Sequence, residues 1–239
     1  MRLGTILALS VLVTSVSAVA EPDELPTGSR LVSRPRPGPA LSHQDQAQGA
    51  KRLAQCLYHL KGDVSRAALL APSKQAADAD LDRLKGEVSC FGVIFSNDLV
   101  ESREAFIPND ILRGMLAEAA LERSHQQVAA LQAMPLQKTY QRAWFAVTGR
   151  PPSVDEMGAC IADTNPAGVT ALISTKPATP EEAAAFGNIT DNLGKCLTAG
   201  TQLHASPEAL RAALAEALFQ RVNAPAPAPA AATSEASKK

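Results

Sequence analysis

The chain has 239 residues, 46% of them hydrophobic but only 4% aromatic, with a formal net charge of −1. Apolar volume drawn mainly from Ala, Leu and Val favours helices and argues against a β-sandwich. Near-neutral charge without a basic block provides no electrostatic footprint for nucleic acid.

Met1 and Arg2, a mostly apolar run over 3–16 and then Ala18-Val19-Ala20 have the layout of a secretory signal peptide, with cleavage expected after Ala20. The run is short for a membrane span and meets Pro22 and acidic residues at once; no later stretch is apolar for long enough to cross a bilayer. Residues 21–41 carry Pro22, Pro26, Pro35, Pro37 and Pro39, which predicts an extended, flexible leader. Arg30, Arg34 and Arg36 within it read as a solvated linker or, at most, a small anionic contact.

A first helical unit is expected over 42–124. Its opening helix, 42–60, puts Leu53, Cys56, Leu57 and Leu60 on one face. Lys61-Gly62-Asp63 interrupts it, with Asp63 as a natural cap for a short helix over 64–70. A third helix is predicted over 74–90, with Leu81, Leu84 and Val88 inward. After Phe91, Phe95 and a charged run, a last helix begins at Asn109 or Asp110 and carries Leu112, Arg113, Leu116, Glu118 and Ala119. A linking helix over 135–148, within a bridge spanning 125–152, would place Leu136, Tyr140, Ala143, Trp144 and Val147 on one face and end at Gly149.

The second unit, 153–222, repeats the order. Ser153 and Glu156 have the spacing of a capping box before Val154, Met157, Cys160 and Ile161. Asn165-Pro166 starts a short helix, Thr179-Pro180-Glu181-Glu182 caps a longer one with Phe186, Ile189, Leu193 and Cys196, and Ser206-Pro207 opens the last. That helix echoes its predecessor residue by residue: Leu112 with Leu210, Arg113 with Arg211, Leu116 with Leu214, Glu118 with Glu216 and Arg123 with Arg221. The chain reads as one helical unit written twice, with an Ala/Pro-rich disordered tail over 223–239.

Four cysteines behind an export signal imply two disulfides, with three possible pairings. The repeat selects Cys56 with Cys90 and Cys160 with Cys196, each worth roughly 3–4 kcal/mol in the chain-entropy picture. No CxxC or HxxxH spacing accompanies the thiols, so neither a metal site nor a cofactor is expected. A slip in the match before Cys90 and Cys196 calls for a bend near Gly86 or Gly194.

Apolar residues on two sides of both last helices predict that each is sandwiched between neighbours. Arg113, Glu118, Arg211 and Glu216 would then be partly buried, as structural ion pairs or as a polar cluster facing a ligand. Tyr140, Trp144 and Phe145, with Phe91 and Phe95, concentrate aromatic surface in a chain poor in it. They predict either a plug between the units or a binding groove. His43, His59, His125 and His204 are isolated, and no HExxH, GxSxG or phosphate-loop pattern occurs.

Cys56, Ala68-Leu69-Leu70, Cys90 and Leu112 to Ala119, followed again by Cys160, Ala171-Leu172-Ile173, Cys196 and Leu210 to Ala217, form a series that resembles uncharacterised exported proteins of alphaproteobacteria. The resemblance covers most of residues 50–222 and implies a fold and a periplasmic or secreted location, with no assigned activity. The expectation is an all-α, non-enzymatic binding or scaffolding protein of the cell envelope, whose partner is an envelope protein or a small apolar ligand. The alternative is a hydrolase-like enzyme working through the charged cluster between the repeats.

Overall fold

The computed structural model of the chain describes residues 42–90, 107–197 and 205–224. The expected signal peptide, the proline-rich leader, Phe91, Phe95 and the tail beyond Ala224 lie outside the described residues. Among the described residues the fold is all α: ten helices form, with one 3₁₀ turn and no strand.

Helix α1 (His43–Leu60) starts where the Ser42 hydroxyl accepts a bond from the Asp45 amide at 3.1 Å, and it buries Ala47, Ala50, Leu53, Ala54 and Leu57. Helix α2 (Gly62–Leu69) follows after one residue, capped at Lys61 rather than at Asp63, which lies in its first turn. Helix α3 (Lys74–Lys85) is capped by Ser73 and stops at Gly86, short of the expected end. A 3₁₀ turn, Val88–Cys90, then delivers Cys90 to Cys56, and Val88 is 65% exposed instead of inward.

Helix α4 (Asn109–Arg123) is preceded by Pro108 and has no side-chain cap. The Asn109 side-chain oxygen, which a cap would need, accepts instead from Lys85, while its amide nitrogen donates to Asp78 at 2.8 Å. Helix α5 (His125–Ala129) adds little more than a turn.

The linking helix expected over 135–148 does not form; only α6 (Phe145–Thr148) does, ended by Gly149 in the left-handed region at φ 77°. Around its expected start the backbone amides find partners outside a helix. The Met134 amide donates to the Asp163 carbonyl at 2.7 Å and the Gln137 amide to the Tyr140 hydroxyl at 3.1 Å. Leu136, read as part of a buried face, is 55% exposed.

The second half runs α7 (Pro152–Thr164), α8 (Pro166–Ile173), α9 (Pro180–Cys196) and α10 (Pro207–Asn223). Asn165, Thr179 and Ser206 cap α8, α9 and α10 as expected. The capping box at Ser153 and Glu156 is absent, since α7 begins at Pro152 behind Pro151 with no side-chain cap. Both disulfides have the expected pairing, with Cα separations of 5.7 Å for Cys56–Cys90 and 5.6 Å for Cys160–Cys196. The slip in the sequence match has a simple origin: α3 breaks at Gly86 before its cysteine, whereas α9 runs unbroken to Cys196.

Helix α10 sits at the centre, packed across α4, α7 and α8, while α4 packs in turn on α1, α2 and α3. Asp110 through Leu121 on α4 are buried without exception, so the helix is enclosed on all sides as its two apolar faces imply. Such enclosure requires close backbone approach. A Cβ on Gly114 would lie 2.2 Å from the Ala212 Cα, so only glycine fits where α4 meets α10.

Candidate functional site

Enclosing α4 and α10 takes Arg113, Glu118, Arg211 and Glu216 out of water, at 0%, 2%, 2% and 0% exposure. Such charges persist only when paired and hydrogen-bonded. The pairing is reciprocal. Arg113 on α4 donates to Glu216 on α10 at 3.0 and 2.5 Å, and Arg211 on α10 donates to Glu118 on α4 at 2.8 and 2.7 Å.

Each guanidinium then caps the end of a short helix. Arg113 donates to the Ala68 and Leu69 carbonyls at the end of α2, and Arg211 to the Leu172 and Ile173 carbonyls at the end of α8. These carbonyls lack intrahelical partners and lie at the negative pole of the helix dipole, which favours a cation there.

Further groups complete the network. Arg150 bridges Glu216 at 2.6 Å and Asp155 at 2.8 Å, and the Thr148 hydroxyl donates to Asp155. Lys51 meets Glu118 at 2.5 Å, and Glu182 accepts from Arg211 at 2.8 Å. Burial pushes the Glu216 carboxyl up, but Arg150 and Arg113 outweigh it and hold the group below the ordinary glutamate value. For Asp155 burial wins over Arg150 and Thr148, and the carboxyl lies above its ordinary value. Apart from Lys51, whose side chain is 16% exposed, these groups are buried and bond to one another and to backbone.

An open concavity among the described residues lies elsewhere. A cleft of about 610 Å³ is lined by the end of α2, the connector after α5, the start of α6, and parts of α7 and α10. Leu70, Leu131, Met134, Trp144, Val147 and Ala217 give it apolar walls, and its size falls in the ~300–1,000 Å³ range of small-molecule sites. None of the four charged residues of the helix crossing lines it.

Of the aromatic residues singled out in the sequence, only Trp144 among the described ones lines this cleft. Tyr140 packs on Ala159 and Cys160, beside Phe145 and Cys196, so Tyr140 and Phe145 cover the second disulfide. Phe145 meets Trp144 edge to face at 4.6 Å between centroids and braces the indole from behind.

The polar part of the lining was not foreseen. Arg142 donates to Asp163 at 3.1 Å, and the Arg221 Nε lies 3.6 Å from the same carboxylate. Arg221 also donates to the Ala162, Asp163 and Gln132 carbonyls. Burial raises Asp163 above its ordinary value despite Arg142 and Arg221, and burial lowers Arg221. A hint was available: Arg221 occupies the place of Arg123, which meets His59 at 2.9 Å in the first half. The non-helical path that brings Arg142 to Asp163 carries no sequence signal.

No helix of the described residues is long and apolar enough to cross a membrane, and no group of His, Cys, Asp and Glu residues among them is arranged to hold a metal ion. Comparison with protein-family models, with curated proteins and with solved structures finds no match.

Proposed function

We propose that the protein is an exported, non-enzymatic binding protein of the bacterial cell envelope, built by duplication of one disulfide-tied helical unit, and that it holds a small, largely apolar ligand against Trp144. The cleft carries this reading: apolar walls from five parts of the chain converge beside a half-buried indole, which is the common design of a ligand pocket. The charged residues an enzyme would draw on at the helix crossing are spent on one another, and all four cysteines are paired, which leaves no thiol nucleophile.

Two disulfides suit an oxidising compartment and support the export reading of the N-terminus. The reciprocal Arg–Glu pairs at matched positions of α4 and α10 support duplication, since a unit that once paired with its own copy leaves this kind of exchange.

Trp144 is the sole tryptophan of the chain, so its emission reports on the cleft directly. Titration with the uncharged dye N-phenyl-1-naphthylamine should give saturable quenching of Trp144 with sensitised dye emission. Replacing Ala143, an exposed lining residue, by Leu should weaken it. Absence of any saturable signal in the wild-type protein would remove the cleft as a ligand site. Recovery of a mature chain beginning at Glu21 from the periplasm tests the export reading separately.

A further inference from the structure

We infer that the ligand is a single-chain amphiphile with a carboxylate head, and that Arg142 receives the head while the chain lies along Trp144. The inference rests on the cleft reading above and adds the charge of the ligand. Arg142 and Arg221 place two guanidiniums in the lining against one carboxylate, Asp163, so the polar wall has one positive charge in excess.

The two arginines are not equivalent. Arg221 spends its donors on three backbone carbonyls, and its side chain is 11% exposed. Among the described residues Arg142 makes one bond to Asp163 and one to the Gln141 carbonyl, its Nε meets no acceptor, and its side chain is 36% exposed. A guanidinium has five donors in a planar fork suited to a carboxylate, so Arg142 keeps donors for an incoming anion. Its plane is already held: the guanidinium carbon sits 5.7 Å from the centroid of the Tyr140 ring, whose hydroxyl is fixed by the Gln137 amide.

An uncharged chain filling the cleft would strip water from this wall without replacing its bonds, which is unfavourable. A cationic head would meet two guanidiniums. A carboxylate head with an aliphatic chain satisfies both parts of the lining, the fork of Arg142 and the apolar strip of Leu131, Met134, Trp144 and Val147.

The test compares dodecanoate, dodecan-1-ol and dodecyltrimethylammonium by quenching of Trp144 in the full mature chain at neutral pH, the two ions below their micelle concentrations and the alcohol below its solubility limit. Dodecanoate should bind on the order of tenfold tighter than the alcohol, as one charge-assisted contact provides, and the cation more weakly than either. Arg142→Gln should bring the dodecanoate-to-dodecanol ratio close to unity. Equal wild-type affinities for the acid and the alcohol, or an undiminished ratio in Arg142→Gln, would overturn the carboxylate assignment while leaving an apolar site in place. No quenching by any of the three, in a protein that also fails to bind the uncharged dye, would remove the site itself.

Discussion

Arg113 and Glu216 meet across the contact of α4 with α10 at 2.5 Å, and the partners each would have had within its own half, Glu118 and Arg211, meet each other at 2.7 Å. Each half holds one arginine and one glutamate, and each of these charges meets its opposite from the other half. A buried ion pair is weak evidence of net stability, but breaking one leaves an uncompensated charge in the core.

Arg211 has the largest set of partners, bonding Glu118, Glu182 and the carbonyls of Leu172, Ile173 and Thr175. Arg211→Met should therefore cost about 3–5 kcal/mol in denaturant unfolding. The double variant Arg211→Met with Glu118→Met should lose less than the sum of the two single changes, because it removes both charges of the pair. Losses below about 1 kcal/mol would mean that the pair is solvated like a surface one.

Gly114→Ala tests the closeness of the two central helices. In an open helix the change would gain about 1 kcal/mol of propensity, and Gly187, with nothing within 4 Å of a built Cβ, should show that gain. At Gly114 the new methyl would meet the Ala212 Cα at 2.2 Å, and backbone cannot rotate aside, so a net loss of about 2–3 kcal/mol is expected. Thermal melts of the two variants should move in opposite directions.

Ser65 is fully buried on α2, and its hydroxyl is the one buried side-chain polar atom without a partner among the described residues. Val169 occupies the same place one turn before the end of α8 and is fully buried as well. Ser65→Ala should stabilise the protein by about 1 kcal/mol, since the penalty of an unmade hydrogen bond disappears. A loss on denaturant unfolding would show that the hydroxyl has an ordered water.

The pH dependence follows from the carboxylates. Glu216 is held below its ordinary value in the fold, so its contribution is present above the unfolded pKa and is lost as pH falls through the folded one. Asp155 and Asp163 are raised, so the fold takes up their protons before the unfolded chain does, and their terms favour folding as pH falls. Melting temperature should stay level or rise slightly from neutrality to about pH 5 and fall below about pH 4. In Glu216→Gln the fold is weaker throughout and the fall below about pH 4 is smaller. Melts across this range distinguish the two profiles.

Much of the architecture was legible because it depends on local signals. Ser42, Thr179 and Ser206 announce helix starts through hydroxyls that accept from amides three residues on, and the repeated spacing of cysteines selects their partners. The Leu-Arg-x-x-Leu-Ala-Glu-Ala pattern even shows that charged residues must be buried, since its apolar positions surround the helix. It does not show whose carboxylate each arginine meets. That depends on the packing of α4 against α10, and on Lys51, Arg150, Asp155 and Glu182, which no periodicity connects. The bridge departs from its helical spacing for a similar reason. Leu136, Tyr140 and Ala143 have helical spacing, yet the Met134 amide finds the Asp163 carbonyl, and with that bond the chain leaves the helical path and carries Arg142 to the cleft.

Because α4 and α10 each lean on groups from the opposite half, a cut in the connector between α5 and α6 would not release two independent modules. Residues 42–129 alone would carry Arg113 and Glu118 without their counterion partners on α10, and the long apolar surface that α10 covers would face water. Melting should accordingly be a single event in which amide protons of α4 and α10 exchange together and last, and a protease that nicks the connector should leave both fragments bound to each other.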